Sequence, residues 1–236
     1  MKVIDVNCDL GESYGSFKIG NDALVFPFIT SCNIACGQHG GDPVTTEQTI
    51  QNAIKYGVQV GAHPSYPDLA GFGRRKMQLS ADELKSIVKS QIAIIDGLAR
   101  SYGTKLKYVK PHGALYNSLA DDADEAAAFV SAIGAYDNSL AIMGLPHSEL
   151  EKAARSANIN FIKEGFIDRR YQTGGRLQAR SEAGAVLENV DDMIQQFEDL
   201  VTKRQVKTNS GHMINMQIDS LCIHGDNPKA AALLTA

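Results

Sequence analysis

The chain has 236 residues, 44% of them hydrophobic and 21% charged, the balance of a folded globular protein rather than a disordered one. Its formal net charge of −4 comes with no basic stripe, which argues against nucleic acid as a partner. No apolar run approaches the ~20 residues of a membrane span, and the N-terminus "MKVIDVNCDL" enters a strand pattern with no signal-peptide pattern, so a cytoplasmic protein with no membrane partner is expected.

A strand pattern over 2–7 opens the chain and a second covers 28–35. A helix over 45–57 follows, with Asp42 and Pro43 at its start and Gly57 at its end. For Asp42, helix capping and a catalytic role are both open. The third strand, 58–63, leads into "HPSYPDLAGFGRRKMQ" (63–78), too rich in glycine and proline for a helix and long enough to be a functional loop. Ser80 with Glu83 three residues on forms a capping-box pattern before a helix over 80–103. Strands over 106–111, 140–144, 161–166 and 218–224 alternate with helical periodicity over 122–135, 147–158 and 182–205. About seven strand–helix units in one domain, 1–236, call for parallel strands with right-handed crossovers, and a barrel is favoured over an open sheet. Cys8, Cys32, Cys36 and Cys222 lack CxxC spacing and read as reduced, buried thiols.

Polar residues recur where the strands run out, in "DVNCDLGE", "NIACGQHGGDP", "GAHPSYPD", "VKPHGALYN", "EGFIDRR" and "CIHGD". In a barrel of parallel strands the active site lies at the strands' C-terminal ends. Side chains alternate along a strand, so Lys110 shares a face with His112, and Asn7 with Asp5 and Asp9. The expected catalytic set is Asp9, His63, Lys110 and His112. Asn7, Glu12, Arg74, Arg75, Glu164, Arg169, Arg170, His224 and Asp226 form the expected substrate-binding set. Histidines at four strand ends, His39 among them, supply acid–base candidates, and Asp9, Glu12 and Asp226 could orient them or act as bases. Lys110 is expected to hold an anion, with a salt bridge to Asp5 or Glu164 as the structural alternative. Lys110→Met is expected to leave the fold intact, and Gly113 to let a ligand approach the backbone. The arginine pairs could clamp a carboxylate or phosphate. No GxxxxGK[ST] occurs.

Taken together, these six motifs, with "GAHPSYPDLAGFGRR" and "HGDNPKA" extending two of them, resemble the LamB/YcsF family in order and over nearly the whole chain. Ile167 departs from the alanine usual there, and the end at "PKAAALLTA" comes earlier than the family pattern leads one to expect. The resemblance implies an α/β fold of the (β/α)7-type, a TIM-like barrel related to glycoside hydrolases and polysaccharide deacetylases. It implies a hydrolase role in ATP-dependent opening of the cyclic amide 5-oxo-L-proline to L-glutamate. ATP is then a co-substrate and 5-oxoprolinase subunits B and C are the partners, with a homo-oligomer left open. Related deacetylases hold metal through Asp and His, which implies Asp9, His39 and His63 as ligands for a divalent ion, Mg or Zn. Two other readings stand beside this one: a stand-alone metal-dependent deacetylase or amidase on a carbohydrate or N-acyl substrate, and a non-enzymatic metabolite-binding regulatory barrel.

Overall fold

Strand–helix alternation closes on itself. The computed structural model describes residues 4–224. In chain order the elements are β1 (Asp5–Leu10), α1 (Asp22–Val25), β2 (Ser31–Ala35), α2 (Pro43–Tyr56), β3 (Gln59–His63), α3 (Ala81–Ser101), β4 (Leu106–Val109), α4 (Gly113–Asp121), α5 (Ala123–Asp137), β5 (Ala141–Gly144), α6 (Glu149–Ser156), β6 (Phe161–Phe166), α7 (Val190–Glu198), β7 (Gln205–Lys207), β8 (Met213–Asn215) and β9 (Ser220–His224). Seven strands form a closed barrel in the order β1-β2-β3-β4-β5-β6-β9, every neighbouring pair parallel. The expected seven-stranded α/β barrel is the observed one. Strands β7 and β8 form a separate two-stranded antiparallel sheet.

Local chemistry explains the boundaries. Asp42 accepts from Thr45 N and Pro43 takes the first turn of α2, which ends on Gly57 at φ 70. Asp42 is therefore a cap. Ser80 and Glu83 form both halves of a capping box on α3. That helix buries Leu84, Val88, Ile92, Ile95 and Ala99 along one stripe, each of the larger side chains contributing roughly 1.5–3 kcal/mol by leaving water.

Three expectations are corrected. The helix expected over 182–205 begins only at Val190, because Gly184 turns the chain at φ 74 and Asn189 caps the helix through Asp191 N. It also ends early, in a π turn over Asp199–Lys203, with β7 starting at Gln205. Helix α4, which starts directly behind β4, belongs in the element order as a separate helix because Asp122 breaks it from α5 and caps the latter.

The barrel's two faces differ in kind. Cys8, Leu10, Cys32, Ile34, Val60, Ala62, Val109 and Ile142 lie in the apolar layer under the helices. The opposite face is mostly polar on β1, β2 and β9, while β5 brings Ala141 and Met143 to it. At the bottom Asp5 accepts from Thr30, Ser31 and Ser220. In the middle Asn33 donates to Asn7, Asn7 donates to Ser220 and Tyr108 donates to Asn33 Oδ1 at 2.7 Å. A β-carbon on Gly61 would lie 2.3 Å from the Tyr108 ring, so the ring can cross the barrel only over a glycine. All four cysteines are buried free thiols.

Candidate active site

The polar face opens at the strands' C-terminal ends into a cavity of about 980 Å³. Asp9, Glu12, His63, Lys110, His112 and His224 line it. Parity puts them there: Asp9 follows Asn7 on β1, His63 ends β3, Lys110 and His112 follow Tyr108, and His224 ends β9.

Asp9 stands between two groups of different character. On one side Lys110 Nζ lies 2.8 Å from Asp9 Oδ1 and 2.7 Å from Glu164 Oε1, with Asn7 Oδ1 and Cys222 Sγ both at 3.2 Å. Burial opposes the charge on Lys110, but the Asp9 and Glu164 carboxylates beside it hold its pKa well above the ordinary lysine value. Burial likewise works against the Asp9 carboxylate and is outweighed by His63 and Lys110, so its pKa stays well below the usual range. Cys222 remains a thiol because burial raises its pKa more than Lys110 lowers it. Lys110 thus has its anions within the protein, and of the two partners expected for a salt bridge it takes Glu164; Asp5 is engaged with hydroxyls.

On the other side are three histidines and Glu12. His63 Nδ1 is 2.7 Å from the Lys110 carbonyl, and His112 Nε2 is 2.9 Å from the Phe72 carbonyl. His63 Nε2 and His112 Nδ1 then face each other at 3.0 Å. His39 stacks flat on His112 with centroids 3.7 Å apart. Burial, reinforced by the neighbouring imidazoles, pushes the pKa of both His39 and His112 well below the ordinary histidine value. Phe72 packs edge-on against both rings. The 63–78 loop that carries it is held by Asp68, which accepts from Gly71 N and pairs with Arg75. Gly113 adopts φ 56, and its missing β-carbon makes room for the carbonyl of Gly73, 2.6 Å from where that carbon would be. The close approach expected there is therefore made by this loop.

His224 is the third component. Its Nδ1 lies 2.8 and 2.9 Å from the two oxygens of buried Asp168, and its Nε2 lies 3.9 Å from Asp9 Oδ2. Burial disfavours the Asp168 carboxylate, but His224 keeps its pKa below the ordinary value. Asp168 is not in the set expected from the sequence. Its signal was parity, since Glu164, Phe166 and Asp168 fall on alternate positions running out of β6.

Each arginine pair divides. Arg74 and Arg169 line the cavity while Arg75 and Arg170 do not. Arg75 is 68% exposed on its pair with Asp68. Arg169 is buried, donating to the carbonyls of Gln178 and Ala185, and burial, with Arg180 nearby, pushes its pKa down to about 10. Arg180 and Lys76 also reach the cavity, and nothing in their sequence surroundings marks them out. Asn7 and Glu164 are fully buried beneath the cavity. Asp226 lies outside the described residues. Of the expected metal ligands, His39 and His63 join Glu12 and His112 in one group, and Asp9 joins Cys222 and His224 in another.

Residues 4–236 match the LamB/YcsF family model. The chain belongs to the LamB/YcsF family. A family relative from Bordetella pertussis, the A component of 5-oxoprolinase, is 48% identical over 227 residues, covering 96% of this chain and 90% of its own. The crystal structure of a lactam utilization protein from Thermus thermophilus superposes with a TM-score of 0.92 at 38% identity, covering 98% of this chain and 94% of that one. A putative cellobiose-phosphate cleavage protein from Enterococcus faecalis shares the fold alone, with a TM-score of 0.57 at 10% identity, over 98% of this chain and 90% of that one. Among the described residues of this LamB/YcsF chain, no helix is long and apolar enough to cross a membrane.

Proposed function

We propose that this chain is the A component of an ATP-coupled 5-oxoprolinase, opening 5-oxo-L-proline to L-glutamate together with subunits B and C. The observation that carries the proposal is the convergence of Asp9, His63, Lys110, His112 and His224 on one cavity whose wall also holds Arg74, Arg169 and Arg180. The name of the Bordetella relative supplies the reaction.

A lactam is resonance-stabilised and a poor electrophile. Phosphorylation of its oxygen by ATP gives an imidate-like phosphate that water can attack. The ring nitrogen then departs with a proton, leaving an acyl phosphate that a second water hydrolyses to glutamate and phosphate. The arginines on the cavity wall suit the substrate carboxylate and the phosphate. His224, oriented by Asp168, suits removal of the proton from water. The Lys110–Asp9–Glu164 network holds the Asp9 carboxylate ionised beside the reacting centre. The chain has no P-loop motif, so ATP, with its magnesium, is assigned to chemistry shared with subunits B and C. An ion held by the histidine side of the site would supply Lewis acidity there.

The test is reconstitution. With subunits B and C the chain should release glutamate only when ATP is present, and alone it should release almost none. ATP-coupled glutamate release by the isolated chain would overturn the shared arrangement. No release from the complete mixture would overturn the reaction.

A further inference from the structure

We propose that Glu12, His39, His63 and His112 form a binding site for one divalent transition-metal ion of the zinc class, set in the cavity wall. The argument begins with hydrogen positions. A carbonyl oxygen only accepts, so the His63 nitrogen facing Lys110 O and the His112 nitrogen facing Phe72 O must each carry a hydrogen. In the neutral rings the two remaining nitrogens, His63 Nε2 and His112 Nδ1, are then both lone pairs, yet they point at each other across 3.0 Å. Two acceptors at that distance repel unless a cation lies between them.

A single proton on His63 Nε2 would relieve that pair and meet Asp9 Oδ2 at 3.3 Å, yet it would leave His39 as it is. The same corner holds His39, 1% exposed, with no hydrogen bond to either ring nitrogen. A buried imidazole in this state is costly. Its Nε2 lies 3.4 Å from Glu12 Oε1, and that same oxygen lies 3.5 Å from His112 Nδ1. The four ligand atoms all fall within 4.8 Å of one another. Nitrogen or oxygen atoms bound to zinc at about 2.0–2.1 Å and tetrahedral angles stand about 3.3 Å apart. The three separations of 3.0, 3.4 and 3.5 Å bracket that edge. One ion can take these lone pairs once the His39 ring turns out of its flat stack on His112, because parallel planes cannot both contain it.

The surroundings fit the same occupant. Ligating histidines commonly donate their second N–H to a carbonyl, which fixes ring and tautomer, and His63 and His112 both do so. Phe72 and the stacked rings close the side away from the cavity, while Glu12, His63 and His112 line it. Three imidazoles select a borderline ion such as zinc over magnesium, which prefers oxygen ligands and keeps its waters. The set differs from the Asp9, His39 and His63 expected from the resemblance: Lys110 holds Asp9 Oδ1 at 2.8 Å, and Asp9 Oδ2, 3.3 Å from His63 Nε2, flanks the site. The inference concerns binding and stands apart from the lactam reaction.

The test uses the full chain without an affinity tag, stripped with chelator and titrated with zinc chloride by calorimetry, with metal content measured by mass spectrometry. One equivalent should bind with sub-micromolar Kd, unaffected by millimolar magnesium, and raise the melting temperature. Glu12→Gln, His63→Asn and His112→Asn should each weaken binding by roughly a hundredfold. His39→Asn should weaken it about tenfold, because its second nitrogen lacks an outer hydrogen bond. Should a variant fail to fold, cobalt(II) added to the wild-type protein gives an independent reading, with an intense visible absorption band expected from tetrahedral ligation. Less than a tenth of an equivalent of zinc on the folded wild type would overturn the site and leave a shared proton as the occupant. Unchanged zinc binding in a folded His63→Asn/His112→Asn variant would overturn it too, as an adventitious ion elsewhere. If zinc binds as expected while the reconstituted mixture releases no glutamate, the proposed reaction fails and this site stands.

Discussion

The two sides of Asp9 are built from the same kind of strand end and reach opposite electrostatic outcomes. On the Lys110 side every strong charge meets an opposite one inside the protein, with Asp9 at 2.8 Å and Glu164 at 2.7 Å. On the histidine side two ring nitrogens are committed to carbonyls and the others converge on each other and on Glu12. A cation that folding supplies covalently, on a lysine stem, completes the first side. The second has the shape of a site completed from solution. Buried polarity at one barrel mouth can therefore be a finished support or an unfinished receptor, and only partner geometry tells them apart.

The largest expected effect breaks the finished side. Methionine replaces the volume of the lysine stem, so sequence alone leads one to expect Lys110→Met to keep the fold. The structure reverses that expectation, since the change leaves two buried carboxylates without their cation. A loss of about 3–5 kcal/mol is expected, read from urea unfolding. Adding Glu164→Gln should restore part of it. An unfolding midpoint within error of wild type would show that Lys110 does not compensate these carboxylates.

Next is His224, which touches neither finished nor unfinished group closely. Asp168→Asn should lower glutamate release in the reconstituted complex by roughly a hundredfold, the lower range for losing a positioned acid–base partner. It should do so mainly in kcat, with KM held within about threefold, because Asp168 acts through His224. An equal loss confined to KM would make Asp168 part of substrate binding instead.

Lys110 and Asp168 also fix a pH window. Lys110 has a raised pKa in the fold, so its contribution is complete below the unfolded lysine value of about 10.4 and declines as pH rises through the folded one. Asp168 has a lowered pKa, so its contribution is complete above about 3.9 and is lost as pH falls through the folded value. Unfolding free energy measured against pH should lose the acid-side share in Asp168→Asn and keep the alkaline decline. An unchanged acid limb would mean that Asp168 does not gain its carboxylate stabilisation from the fold.

The smallest effects come from the arginines. Arg75→Ala should leave the unfolding midpoint close to wild type, because its ion pair is exposed to solvent at the arginine end. It should also leave activity near wild type. Arg74→Ala, on the cavity wall, should raise KM at least tenfold. Equal effects from the two would remove the distinction drawn between them.

Local pattern in the amino-acid sequence was enough for the seven strands, their parallel order and the end at which polar residues gather. Hydrophobic runs, capping boxes and terminal glycines are local signals, and their periods place side chains on faces. Those periods therefore put Asp9, His63, Lys110 and His112 on one rim, and the alternate spacing out of β6 even carried Asp168. Tertiary structure settled the rest. Which carboxylates Lys110 meets depends on β9 lying between β6 and β1 as the barrel closes, which brings together Asp9 and Glu164, 155 positions apart. That Arg74 turns in while Arg75 turns out depends on Asp68 tying the loop. The opposition of His63 and His112 depends on two carbonyls from other segments choosing which nitrogen carries the hydrogen. The lysine and histidine arrangements have no local signal, because each is set by partners distant in the chain, whereas Asp68 and Arg75 share one loop without a regular period to align them, and the charge a site lacks shows only when all its neighbours are in place.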